Sequence, residues 1–173
     1  MSKKVVTIFG TARAQPGDSA YELAQETGKL LAQSGFTIAN GGYGGTMTAA
    51  AKGAAEAGGE IIGVTCSTFK SKANKYTTKE IITASLDERL DTLIKLGQAY
   101  IVLPGGTGTL LELAKVWELK NKGFLESPKP IILIGEFWKP LVELLNIDAP
   151  DSGRHVKQVD EPKQVVRLIV DNY

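Results

Sequence analysis

The stretch Leu103-Pro-Gly-Gly-Thr-Gly-Thr-Leu-Leu-Glu112 constrains this chain more than any other. It follows the apolar run 99–103, which predicts a buried strand, and it opens the spacing Leu110, Leu111, Leu113, Ala114, Trp117, which predicts a helix. A strand that enters a glycine-rich turn and leaves it as a helix is the usual seat for a phosphate. Glycines let the backbone approach the ligand, amide groups point inward, and the start of the helix carries about half a positive charge. Glu112 is the odd member, read here as a carboxylate in the first turn of that helix. An anion seat has no use for a carboxylate beside it, so Glu112 points to chemistry.

The same alternation runs through the whole sequence. Val5–Phe9 predicts a first strand that breaks at Gly10-Thr-Ala-Arg13. Ser19 and Glu22 read as a capping box at the start of a helix through Ala20, Leu23, Ala24, Thr27, Leu30 and Leu31, which Gly35 stops. Residues 36–39 predict a second strand. It ends in a second glycine turn, Asn40-Gly-Gly-Tyr-Gly-Gly-Thr46, before a helix with the small stripe Met47, Ala50, Ala51, Ala54, Ala55, narrow enough to sit close against a sheet. A third strand is expected at 60–65 and a short one at 80–84, separated by a lysine- and hydroxyl-rich surface loop, 67–78, placed to cover a site.

Ser85 and Glu88 form a second capping box, whose helix carries Leu86, Leu90, Leu93 and Ile94 to Gly97, with Arg89 beside that stripe in the first turn. After the opening motif come a loop at 121–129, a strand at 130–134 and a helix at 138–145 with Pro140 in its first turn. A turn-rich excursion at 148–154, the strand Val156–Val159 and the helix Pro162–Val170 complete the chain. Strands alternating with helices in this way predict an α/β fold: one Rossmann-like domain over residues 1–173, its parallel sheet covered by helices on both faces.

Composition narrows the classes. Hydrophobic residues at 43% and charged residues at 23% describe a soluble globular domain. A formal charge of +1 gives no global field to recruit nucleic acid or an acidic membrane. No apolar run approaches the ~20 residues of a bilayer span. Met1-Ser-Lys-Lys4 leads directly into a strand and does not read as a signal peptide, and one cysteine, Cys66, allows no internal disulfide; both agree with a cytoplasmic protein. One cysteine and one histidine make no zinc site of the usual kind, so no metal is expected.

Both glycine turns should lie at the carboxyl edge of the sheet, where ligands of such folds bind. Neither fits the dinucleotide fingerprint, because Gly42, Gly44 and Gly45 are crowded and no acidic residue ends the next strand; no Gly-Lys-Ser/Thr run is present either. The turns suit a mononucleotide or sugar phosphate.

Pro104-Gly-Gly-Thr-Gly-Thr-Leu-Leu-Glu112 resembles the PGG-x-GT-x-x-E motif of the LOG family, cytokinin-activating phosphoribohydrolases often mislabelled lysine decarboxylases. The resemblance extends over nearly the whole chain: the first turn, the turn at 41–46 with Met47, the pair Glu88-Arg89 and the ending Val159-Asp-Glu-Pro162. It implies a Rossmann-like fold, a homodimer or higher homo-oligomer, and cleavage of the N-glycosidic bond of a nucleoside 5′-monophosphate. Arg89 and Glu112 would be the catalytic pair. The phosphate would lie on Gly105, Gly106, Thr107, Gly108 and Thr109. The rest of the nucleotide would lie on Gly41, Gly42, Gly44, Gly45, Thr46 and Met47, with Gly10 and Thr11 at the same edge. No cofactor would be required beyond the bound nucleotide or phosphate. No lysine sits in a sequence context that singles out a pyridoxal phosphate adduct.

Two departures stand out. Cytokinin-activating members usually carry Arg-Lys where this chain has Arg89-Leu90, and their second turn typically reads Gly-Gly-Gly-x-x-Gly-Leu-Met-Gly against Gly41-Gly-Tyr-Gly-Gly-Thr-Met-Thr48 here. The wider superfamily to which this pattern is similar includes carriers that bind a nucleotide or the pterin of the molybdenum cofactor without hydrolysing it.

Plainer readings of the same residues are a helix-start carboxylate for Glu112, a surface arginine paired with Glu88 or Asp91 for Arg89, and a simple tight turn for 41–46. Leu90 reads as core. Cys66 reads as a small buried hydrophobe, Trp117 and Trp138 as packing residues, and His155 as an ordinary polar residue after a turn.

Overall fold

Seven short runs rich in valine and isoleucine make the strands, in a computed structural model that describes residues 4–125 and 128–171. They are β1 (Val5–Phe9), β2 (Thr37–Asn40), β3 (Ile61–Cys66), β4 (Lys79–Thr83), β5 (Ala99–Val102), β6 (Ile131–Ile134) and β7 (Val156–Val159). Every pairing is parallel, in the order β4-β3-β2-β1-β5-β6-β7. The chain therefore lays three strands outward from β1 and then returns to β1's other side. That reversal opens a crevice at the carboxyl end of β1, between β2 and β5.

The helices are α1 (Ser19–Gln33), α2 (Thr46–Glu56), α3 (Leu86–Leu96), α4 (Thr107–Asn121), α5 (Lys139–Asp148) and α6 (Pro162–Val170). Successive strand residues point to opposite faces, so two cores result. Val6, Ile8, Ile38, Ile61 and Ile101 pack under α1, α2 and α6, whereas Phe9, Val64, Tyr100, Val102 and Leu133 pack under α3 and α4. Each such fully buried side chain contributes about 1.5–3 kcal/mol. The predicted Rossmann-like parallel sheet with helices on both faces is the one found.

Several local expectations shift. Asp18, not Ser19, is the N-cap of α1, and its carboxylate accepts from the Gln15 amide instead of capping the helix. Ser85 does cap α3, accepting from Glu88 N, but the Glu88 carboxylate reaches Ala84 N and leaves the second half of the box unmade. The small residues of α2 serve a different neighbour from the one expected: the helix packs most extensively against α1. The buried stripe of α4 is Thr109, Leu113, Val116 and Trp117, while Leu110, Leu111 and Ala114 are exposed. α5 begins after Trp138 and buries none of its residues. The loop expected at 121–129 starts after Asn121; its residues 126 and 127, like 1–3 at the N-terminus, lie outside the described residues.

Candidate functional site

Three loops leave the carboxyl ends of β1, β2 and β5 and are tied together at the crevice. Thr11 N donates to Pro104 O at 3.3 Å, joining the first turn to the Pro104 motif. Thr46 N and Thr46 Oγ1 both donate to Thr11 O at 2.9 Å, joining the first turn to the start of α2. Gly45 makes that contact possible: its φ is +64°, and a Cβ there would run into the backbone of Thr11 and Ala12.

The tied loops surround a cavity of about 680 Å³. One wall is the beginning of α4. Its N-cap, Gly106, has no side chain to cap the helix, so the first-turn amides carry their partial positive charge uncapped toward the cavity. Gly105, Gly106, Thr107, Gly108 and Thr109 all line it, with Gly10 and Thr11 of the first turn. Trp138 braces this wall from beneath, donating Nε1 to Leu103 O at 3.0 Å.

Glu112 lies on the same wall, but deeper than expected. α4 starts at Thr107 and has no acidic residue in its first turn, so Glu112 stands in the second turn and is not a dipole-stabilised helix-start carboxylate. It is half-buried and lines the cavity. Burial pushes its carboxyl up to about 7, against a smaller downward pull from Arg89.

Arg89 is 8% exposed and is not the surface arginine that its sequence neighbours suggest. Glu88 is engaged with Ala84 N, and Asp91 pairs with Lys115 at 2.6 Å. The Arg89 guanidinium instead donates Nε to Val64 O at 2.7 Å and a terminal nitrogen to Gly41 O at 3.1 Å. Its cation lies 5.3 Å from the ring centre of Tyr43 and 5.9 Å from that of Phe69. Among the described residues no carboxylate sits within 4.0 Å of it, Glu112 included. Among the described residues it is thus a buried cation held by carbonyls and aromatic faces, with its remaining donors at the cavity.

The second glycine turn is mostly support. Of its residues, only Tyr43 and Met47 line the cavity; Gly41, Gly42, Gly44, Gly45 and Thr46 stand behind it. Gly41 is shaped by Arg89, because a Cβ at Gly41 would collide with the guanidinium and with Met47 Sδ. Asn40 braces the turn from one side, accepting from Gly42 N at 2.8 Å and donating to Met47 O at 3.0 Å. Asn74, from the loop 67–78, braces it from the other by donating to the carbonyls of Gly42 and Tyr43. That loop does reach the site, and it contributes Phe69.

Tyr43, Phe69 and Ala12 were not among the expected site residues. The signal for Tyr43 was a lone aromatic inside a run of glycines, whereas nothing in the aperiodic loop singles out Phe69. Leu90 is 4% exposed within the core, and Cys66 is likewise buried. Trp117 donates Nε1 to Ser152 O. His155 lies before β7, at the opposite edge of the sheet. No group of three or more His, Cys, Asp or Glu side chains able to hold a metal occurs among the described residues, and none of their helices is long and apolar enough to cross a membrane.

The chain is similar to known proteins in sequence and in fold. A cytokinin riboside 5′-monophosphate phosphoribohydrolase of Rhodococcoides fascians is 29% identical over 146 residues, covering 82% of this chain and 74% of that protein. One of the same name from Mycobacterium tuberculosis is 35% identical over 117 residues, 65% of this chain and 61% of the relative. In structure, the molybdenum cofactor binding protein of Rippkaea orientalis superposes with a TM-score of 0.82 at 26% identity, over 99% of this chain and 98% of that one. The SLOG cluster4 family profile matches residues 3–166, and the chain belongs to that family.

Proposed function

We propose that the protein hydrolyses the N-glycosidic bond of a nucleoside 5′-monophosphate, releasing free base and ribose 5-phosphate. One observation carries the reading: a buried, carboxylate-free Arg89 and a Glu112 titrating near neutrality line the same cavity as an uncapped amide nest. Nest and arginine suit an anionic, hydroxyl-bearing ligand. A costly half-buried carboxylate suits a reaction that develops positive charge.

In this mechanism the 5′-phosphate sits on the amides of residues 105–109, and Arg89 holds the substrate through its free donors. As the bond from C1′ to the base nitrogen lengthens, positive charge builds on the ribose, and ionised Glu112 stabilises it. Glu112 then accepts a proton from the water whose oxygen bonds to C1′. The base leaves with the electron pair of the broken bond and takes up a proton from solvent. The backbone ties to Val64 and Gly41 hold Arg89 in place. The names of the two phosphoribohydrolase relatives support the reaction class. The exposed Leu144, Leu145 and Ile147 of α5, with Phe137 before it, support self-association.

A second reading, a non-catalytic carrier of a nucleotide or of a pterin such as the molybdenum cofactor, has its own support. The Rippkaea protein is named for binding that cofactor, and Leu90 is core where cytokinin-activating LOG members usually carry a lysine. The two readings separate in a turnover panel. The hydrolase releases base from nucleoside 5′-monophosphates and not from the matching nucleosides, which lack the group for the nest. A carrier binds without releasing base from any of them.

A further inference from the structure

We infer, building on the hydrolase reading, that the base is held by stacking on Tyr43 and Phe69 with no side chain reading its edge, so that the site accepts any planar base. The interactions within the cavity order it. Phosphate belongs on the amide nest, and Glu112 on the same helix is coupled to Arg89. Arg89 in turn lies against the two rings. A ligand that runs from phosphate through ribose to base therefore ends at Tyr43 and Phe69. Their ring centres are 5.8 Å apart and their planes 53° apart, an aromatic corner with the flexible thioether of Met47 nearby.

The polar groups that brace that corner are already committed, and Arg13, which also lines the cavity, comes from the first turn, tied to the Pro104 motif. Tyr43 OH accepts from Cys66 N at 2.8 Å and donates to Cys66 O at 3.3 Å. Asn40 spends its amide on Gly42 and Met47. Asn74 spends its donors on Gly42 and Tyr43 and its oxygen on Tyr76 N. Discrimination between bases needs donors and acceptors left open for their edges, because a site that hydrogen-bonds a group rejects ligands lacking it far more strongly than an apolar surface does. Stacking makes no such distinction, since every base has a π face.

The test is binding and turnover with AMP, GMP, CMP, UMP and ribose 5-phosphate, on the wild type and Phe69→Ala. Phe69 is 41% exposed on a surface loop, so the variant folds. Phe69→Leu, which keeps apolar bulk without a ring, is the companion. The four nucleotides should bind within about tenfold of one another, and Phe69→Ala should weaken all four by about tenfold or more. Its affinity for ribose 5-phosphate should stay within about twofold, and Phe69→Leu should resemble Phe69→Ala. A preference beyond tenfold for one base would overturn the inference; a guanine preference would assign edge reading to Arg13. Equal weakening of ribose 5-phosphate would also overturn it, by showing that Phe69 only steadies Arg89. Absence of base release from every nucleotide would refute the hydrolase reading instead, and the affinity ratios would still decide the base wall.

Discussion

Replacing Glu112 by glutamine should make the unliganded protein more stable, and by an amount that depends on pH. A carboxyl moved from its ordinary 4.5 to about 7 binds its proton more tightly in the folded chain than in the unfolded one. Its contribution is favourable below pH 4.5 and is lost as pH rises through about 7. Above that, the ionised form costs about 3 kcal/mol of folding stability. Arg89's attraction is already contained in the value. Glutamine keeps the shape and the hydrogen-bonding capacity but cannot ionise. The variant should therefore gain about 3 kcal/mol at pH 8 and under about 1 kcal/mol at pH 5. In a chain of this length that raises Tm by about 6–12 °C at pH 8 and by under about 4 °C at pH 5. Thermal unfolding of both proteins across that range is the assay. Destabilisation at pH 8, or an equal gain at both pH values, would refute the claim that Glu112 is held at a cost by its cavity.

Further outcomes follow from the same geometry. For turnover, kcat/KM should rise with pH as Glu112 ionises near 7, over and above the limb near 6 from the second ionisation of the substrate phosphate. A flat profile from pH 6.5 to 8 would contradict the base role. Arg89→Lys should lose about 1–3 kcal/mol of stability, because an ammonium cannot bond the carbonyls of Val64 and Gly41 as the guanidinium fork does; denaturant unfolding measures it. Gly41→Ala should leave the fold intact but push Arg89 from its seat, lowering kcat/KM by about a hundredfold. Gly45→Ala, with φ at +64° and the backbone of Thr11 and Ala12 in the way, should instead destabilise by more than about 1 kcal/mol.

The architecture was legible because its signals are local. Short apolar runs such as Ile131–Ile134 and Val5–Phe9 declare buried strands, and glycine clusters declare the turns that follow. Arg89 and Glu112 were legible as a pair by resemblance, and topology brings their helices to one cavity. Their depth was not. The pattern of α4 is visible only from Leu110, since Thr107-Gly-Thr109 are poor helix formers; the helix nevertheless starts at Thr107 and carries Glu112 inward. Arg89 is buried by partners far along the chain, the carbonyls of Val64 and Gly41. Phe69 reaches the site because Asn74 clamps its loop to the second glycine turn, a long-range contact with no periodic trace in the sequence.

The most direct test of the central claim compares wild type with Glu112→Gln on AMP at pH 8, following adenine and ribose 5-phosphate while binding is measured in parallel. The wild type should release both products in equal amounts. Glu112→Gln should bind AMP with comparable affinity and release neither. Release by the variant at the wild-type rate, or tight binding without release by the wild type, would contradict the assignment of this cavity as a phosphoribohydrolase active site.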